Sequence, residues 1–318
     1  RSITLDLKSE SDIATIKAVL AETDVLVENF RPGVMEKLGL GFDALHERFP
    51  ALVYVSVSGF GQTGTNAKMP AYDIIVQAMS GLMDVTGEPD GTPTMIGEAI
   101  GDVAGGLFAA WGTMVALFDQ TRTGTGRHVD VALFDALTSM MPLLACRTLM
   151  AGETPVRTGN RHSLSAPFGT YPARDGHFAV AVLNDRLFVT FCDVIEQPQL
   201  AKDPRFITDP LRRENEPALA DQIALWAGDR CVDEVVSTLS GAGIPASEIQ
   251  SIAQAWASTQ AQERRLASPV DHPILGQMNV PEQPVHFSGA ARGGRTAAPA
   301  LNANAAEILA DLAKGITK

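Results

Sequence analysis

Cysteine is scarce: only Cys146, Cys192 and Cys231 occur, widely separated and without a CxxC pair. That spacing offers neither a disulfide framework nor a zinc site, and it suits a reducing cytoplasm. Blocks of lysine or arginine are lacking too, and the formal net charge is −12. A general affinity for nucleic acid or an anionic membrane is therefore not expected, and an anionic ligand must be held by a few local cations. No signal-peptide pattern is visible. The longest apolar run, residues 103–118, falls short of a membrane span and contains Gly105, Gly106 and Gly112, which suits a close-packed buried helix.

What remains is ample for a folded core. The chain has 318 residues, 45% of them hydrophobic, and a mean hydropathy of +0.06, enough for two domains. It opens at Arg1 on "SITLDL", whose alternation predicts a strand already under way, as if the N-terminus were cut. A helix over about Ser11 to Ala21, the strand "DVLVENF", short helices near 34–38 and 42–47, and the buried strand "ALVYVSVS" follow. Strands separated by helices argue for a parallel sheet, whose ligands bind at the carboxyl ends of the strands. Helices are predicted near Tyr72 to Met83, Asp102 to Phe118 and Phe134 to Met150, with the strand "RHVDVAL" between the last two.

A polar stretch, "GETPVRTGNRHSLSAPFG", reads as a linker before a second, smaller α+β domain. That domain opens with a hairpin turning on Arg174 to Gly176 and continues through helical patterns over roughly 185–258. The expected organisation is a large domain over 1–150, a linker over 151–167, a small domain over 168–258, a linker over 259–280 and a C-terminal segment over 281–318 that returns to the large domain.

Several residues invite chemistry. In "VENFRPG" a buried strand ends in Asn29, Phe30 and Arg31 before a helix. A guanidinium beside free backbone N–H groups can hold a phosphate, and Phe30 can lie against a flat ring; the alternative is a solvated surface loop. Lys8 and Lys37 lie near the same sheet edge. Asp102 stands before an apolar helix, where Asp is a good N-cap; flanked by Gly101, Gly105 and Gly106, the same carboxylate can also attack an activated carbonyl. A helix N-terminus favours its ionised form. Asp73 reads as a cap, which leaves Tyr72 as a pocket wall or hydrogen-bond donor. His162 and Arg161 fall in the linker, and His128 opens a strand. The loop "GFGQTG" matches G-x-G-x-x-G, but "TNAKMPAYD" intervenes where a dinucleotide fingerprint needs a helix. A nicotinamide-dependent oxidoreductase rests on that loop alone.

Taken in order, "RSITLDLK", "VENFRPGVMEKLGLG", "SGFGQTG", "PAYDIIVQAMSGLMDVTGEPDGTP", "IGDVAGG" and "RTGTGRHVDVALFDAL" resemble class III CoA-transferases. That group includes formyl-CoA and carnitine CoA-transferases and the related α-methylacyl-CoA racemases. The likeness continues through "FGTYPARDGHFAVAV" to "DHPILGQMNVPEQPVHFSG". It implies a Rossmann-like α/β large domain, a smaller domain and an interlocked homodimer whose linkers run between domains. Asp102 matches the family's catalytic aspartate, and Asn29, Phe30 and Arg31 match its CoA-contacting loop. Lys8 and Lys37 match positions near the nucleotide end of CoA, and Tyr72 is assigned to the same CoA site.

The implied reaction moves CoA from an acyl-CoA to a small carboxylic acid by way of an aspartyl anhydride and an aspartyl-CoA thioester. CoA is then a substrate, with no permanently bound cofactor and no metal. The racemase branch instead moves an α-proton with a histidine placed where this chain has Tyr72; a phenol is a poor base near neutrality, which favours transfer. Family members also carry a strand-helix-strand unit ahead of "RSITLDLK", so an inactive fragment stays open as a reading. "VQAMSGLMDVTG" is most similar to members handling small dicarboxylic acids such as succinate, glutarate, itaconate or mesaconate, with Arg161 a conceivable partner for the distal carboxylate.

Overall fold

The structure is a computed structural model that describes residues 1–290 and 294–315. Two compact units divide the chain, one comprising 1–157 with 299–318 and the other 158–298. Residues 291–293, within the alanine-rich tail, lie outside the described part.

In the first unit β1 (Val25–Glu28), β2 (Val53–Ser58) and β3 (His128–Ala132) form a parallel sheet in the order β1-β2-β3. β2 is the central strand and is buried almost throughout. Alternation sends Val53, Val55 and Val57 to one face and Tyr54, Ser56 and Ser58 to the other. The valine face packs on the Ile100–Thr123 helix, and Tyr54 packs with Leu20, Met35, Leu40 and Leu45.

That helix turns its small residues, Gly101, Ala104, Gly105, Ala109 and Ala116, inward. At Gly105 the fit is close: a Cβ there would stand 2.2 Å from Leu133 Cδ2, so the leucine side chain would have to shift. The helix is longer than the sequence suggests, running 24 residues, and it is long and apolar enough to cross a bilayer. Its outer face is not buried within the chain: Leu107, Trp111, Met114 and Phe118 are all exposed.

Three other expectations change. "SITLDL" forms no strand; the Ser2 and Thr4 amides donate instead to the Oδ1 atoms of Asn304 and Asn302, so asparagine side chains replace a neighbouring strand. The helix expected over 72–83 is two, Asp73–Met79 and Leu82–Val85, split where Gly81 takes φ +86°. The helix expected over 134–150 is also two, Leu133–Ser139 and Pro142–Leu149, because Pro142 has no N–H to continue the ladder.

The second unit holds β4 (Phe168–Ala173) and β5 (Gly176–Ala181), the expected hairpin, and adds β6 (Ala246–Glu248) from a stretch that reads as helical. Tyr171, Phe178, Phe188, Phe191, Phe206, Leu219 and Ile223 form its core. Each such side chain contributes roughly 1.5–3 kcal/mol by burial. β7 (Ala267–His272) and β8 (Gly276–Pro281) form a further hairpin.

Candidate active site

The carboxyl ends of the parallel strands open onto a cleft of about 510 Å³ lined by Asn29, Phe30, Arg31, Ser58, Tyr72 and Asp102, among others. Five of the seven residues that the resemblance assigns to the site thus line one cleft, as a parallel sheet predicts. Beyond β1 the chain is fixed by two side-chain bonds. Glu28 Oε2 accepts the Phe30 amide at 2.8 Å, and Asn29 Nδ2 donates to Val57 O at 2.5 Å. Phe30, Arg31 and Tyr72 remain exposed, and Arg31 makes no ion pair among the described residues.

Asp102 is not the cap of its helix. The helix begins at Ile100 with Ala99 as N-cap, so Asp102 occupies the third helical position. The cap is supplied from elsewhere: Asp73 Oδ1 accepts the Gly101 amide at 2.7 Å. Nor does Asp73 cap its own helix, whose first residue it is. Its other oxygen accepts from Gln77 Nε2 at 2.6 Å, and the buried Gln77 reaches on to Glu98 O and the Ile96 amide. Asp73 therefore ties two helix starts and the 96–98 loop together, and Asp102 is relieved of the capping duty.

The two acids also interact electrostatically. Asp102 is exposed as a residue, yet desolvation of its carboxyl comes first, and the charge of Asp73 second, in pushing its pKa above the ordinary carboxylate value. Both effects run against the helix N-terminus, which by itself favours the anion.

Lys8 and Lys37 do not line this cleft. They line a separate groove of about 650 Å³ together with Lys17 and Arg48, two cations that the sequence reading missed. Lys17 sits in the last turn of the helix Glu10–Leu20, where a basic residue is unremarkable, so little in the sequence marked it.

Arg161 is committed elsewhere. Its Nε donates to Glu216 Oε1 at 2.5 Å, its NH1 donates to Thr170 O, and its guanidinium lies 4.3 Å from the Tyr171 ring centroid. Tyr171 donates to the same Glu216 oxygen, so the suggested role of Arg161 in holding a substrate carboxylate meets a guanidinium already satisfied. His162 stacks on Phe168 at 4.5 Å, and His128 stacks on Phe42 and bonds Ser56 Oγ. The "GFGQTG" turn is held by Asp130, which accepts the Gln62 amide, and residues 61–72 contain no helix, so the dinucleotide fingerprint lacks its second half.

The profile of CoA-transferase family III matches residues 1–305. The chain belongs to that family. Class III CoA-transferases similar to it include an acetyl-CoA:oxalate CoA-transferase of Acetobacter aceti, 41% identical over 290 residues, or 91% of this chain and 73% of the relative. A succinyl-CoA–D-citramalate CoA-transferase of Chloroflexus aurantiacus is 34% identical over 98% of this chain and 78% of its own length. Among solved structures, a CAIB/BAIF family protein from Brucella suis superimposes with a TM-score of 0.85 at 35% identity, covering 98% of this chain and 81% of that one. This class III architecture fits the mixed α/β fold with its parallel sheet.

Proposed function

We propose that the protein transfers CoA from an acyl-CoA such as succinyl-CoA to a small dicarboxylic acid, with Asp102 as the covalent nucleophile. The observation that carries this reading is an acid lining the cleft that accepts no hydrogen bond from any described residue, while Asp73 caps the helix that carries it. Relatives named for oxalate and citramalate support a short dicarboxylic acceptor.

In this mechanism Asp102 attacks the thioester carbonyl, expelling CoA thiolate and forming a mixed anhydride. The thiolate attacks the aspartyl carbonyl, releasing the donor acid and leaving an aspartyl-CoA thioester. The acceptor carboxylate opens that thioester to a second anhydride, and the thiolate then takes the new acyl group, regenerating Asp102. Covalent catalysis divides one difficult exchange into easier steps, and backbone N–H groups of glycine-rich segments stabilise the oxyanions. Phe30 and Arg31 contact CoA beside Asp102, with Asn29 and Tyr72 completing that wall, and Lys8 and Lys37 meet the nucleotide end.

The same reading makes the protein a cytoplasmic, interlocked homodimer, with 151–167 and 259–280 passing between the large domain over 1–150 and the small domain over 168–258, and 281–318 returning to the large one. The exposed apolar face of the Ile100–Thr123 helix supports an assembly that covers it. Trapping tests the chemistry: the protein is incubated with succinyl-CoA, quenched with hydroxylamine and digested for peptide mass spectrometry. A hydroxamate on Asp102 is expected; an unmodified Asp102 in a protein that still exchanges CoA overturns the covalent mechanism.

A further inference from the structure

Two serines follow one another on the same face of β2, and they differ in one respect. Ser56 Oγ lies 3.0 Å from His128 Nε2 and is satisfied within the fold. Ser58 is 6% exposed, and its Oγ has no hydrogen-bond partner among the described residues. Asn29, which lines the same cleft, does not serve it, because Asn29 Nδ2 donates to Val57 O. Among the described residues four buried polar side-chain atoms lack partners, those of His46, Ser58, Gln62 and Trp226, and of these residues Ser58 alone lines the Asp102 cleft. A buried hydroxyl left unpaired is costly, and such a group in a native protein calls for an explanation.

We infer that Ser58 is a catalytic residue whose hydroxyl donates a hydrogen bond to the thioester carbonyl oxygen of the acyl-CoA bound in the cleft. The inference rests on the CoA-transfer reading and adds a side-chain donor to it. As an Asp102 oxygen bonds to the carbonyl carbon, the π pair moves onto the carbonyl oxygen, and Ser58 stabilises that oxyanion without giving up its proton. The pair then returns, the C–S bond breaks, and CoA leaves as thiolate. A donor aimed at charge that grows in the transition state is worth more there than in the ground state. The hydroxyl unpaired in the free protein gains its partner when substrate arrives.

The test compares wild type, Ser58→Ala and Asp102→Asn as full chains. Each is mixed with succinyl-CoA and oxalate, the release of succinate is timed, and thermal unfolding is recorded alongside. Ser58→Ala is expected to release succinate about 100-fold more slowly than wild type, with a Tm equal to or above that of wild type, because the substitution removes an unsatisfied polar atom. Release within threefold of wild type overturns the inference. So does a slow release accompanied by a fall in Tm, which marks the hydroxyl as structural. If wild type itself releases succinate no faster than Asp102→Asn, the nucleophile assignment fails, an outcome separate from the failure of Ser58.

Discussion

Charge is concentrated in two places that are handled in opposite ways. Around Glu216 everything is matched: Arg161, the Tyr171 hydroxyl and the Thr170 carbonyl close on one another, and burial first, then Glu216, holds the Tyr171 phenol above its usual range. At the carboxyl ends of the parallel strands the Asp102 carboxylate and the Arg31 guanidinium are left without partners among the described residues in the same cleft, and a second acid is positioned where it opposes ionisation of the first. The matched cluster holds a unit together. The unmatched one is poised to act on something that arrives, and the fold gives up stability to keep it so.

Breaking the contrast at its unmatched end has the largest expected effect. Asp102→Asn is expected to lower CoA transfer at least about 1,000-fold, equivalent to about 4 kcal/mol of barrier, in an assay with succinyl-CoA and oxalate. Stability should move the other way. A carboxyl whose folded pKa exceeds its unfolded one binds its proton more tightly when folded, so the wild type loses stability as pH rises from the unfolded value through the folded one. Asp102→Asn should therefore have the higher Tm at neutral pH, and the difference should vanish below about pH 4.

The matched cluster answers to the reverse substitution. Arg161→Met leaves Glu216 buried and uncompensated and is expected to destabilise the protein by about 3 kcal/mol in urea unfolding, while the pH profile of transfer keeps its acid limb. Asp73→Asn lies between the two cases. It preserves the side-chain shape but removes the charge, and transfer is expected to fall about 10- to 100-fold, or about 1.4 to 2.7 kcal/mol. Because the negative charge that raises the Asp102 pKa is gone, the acid limb of kcat/KM should shift to lower pH. The smallest effect belongs to Lys17→Ala in the basic groove. An increase of about two- to threefold in KM for acyl-CoA is expected, less than about 1 kcal/mol, shrinking further at high salt.

The parallel sheet was legible because Val53 to Val57 and the segments flanking them carry the continuous apolar pattern of buried strands, and the turn residues that follow mark their carboxyl ends. The gathering of Asn29, Phe30, Arg31, Tyr72 and Asp102 followed from that topology and from the family motifs. "SITLDL" misled because alternation states only that a segment can pair, not that a partner is present. Pairings across long separations left no local signal. Asp73 caps a helix 28 positions away, and Arg161 meets Glu216 across 55. A carboxylate in the first turn of a helix looks the same in sequence whether it serves its own helix or a distant one. The unsatisfied Ser58 hydroxyl was equally silent, since satisfaction belongs to three-dimensional surroundings.

The division of labour between Asp73 and Asp102 has a consequence for how such proteins decay. The acid at 102 holds up no part of the architecture, so its loss carries no folding penalty and offers quality control nothing to detect. A gene copy that has exchanged it for a neutral residue would still yield a well-folded chain with its ligand cleft intact. On the proposed role of Asp102, loss of catalysis can therefore be silent at the level of protein abundance, and a retired copy is free to persist as a binder of the compounds it once converted.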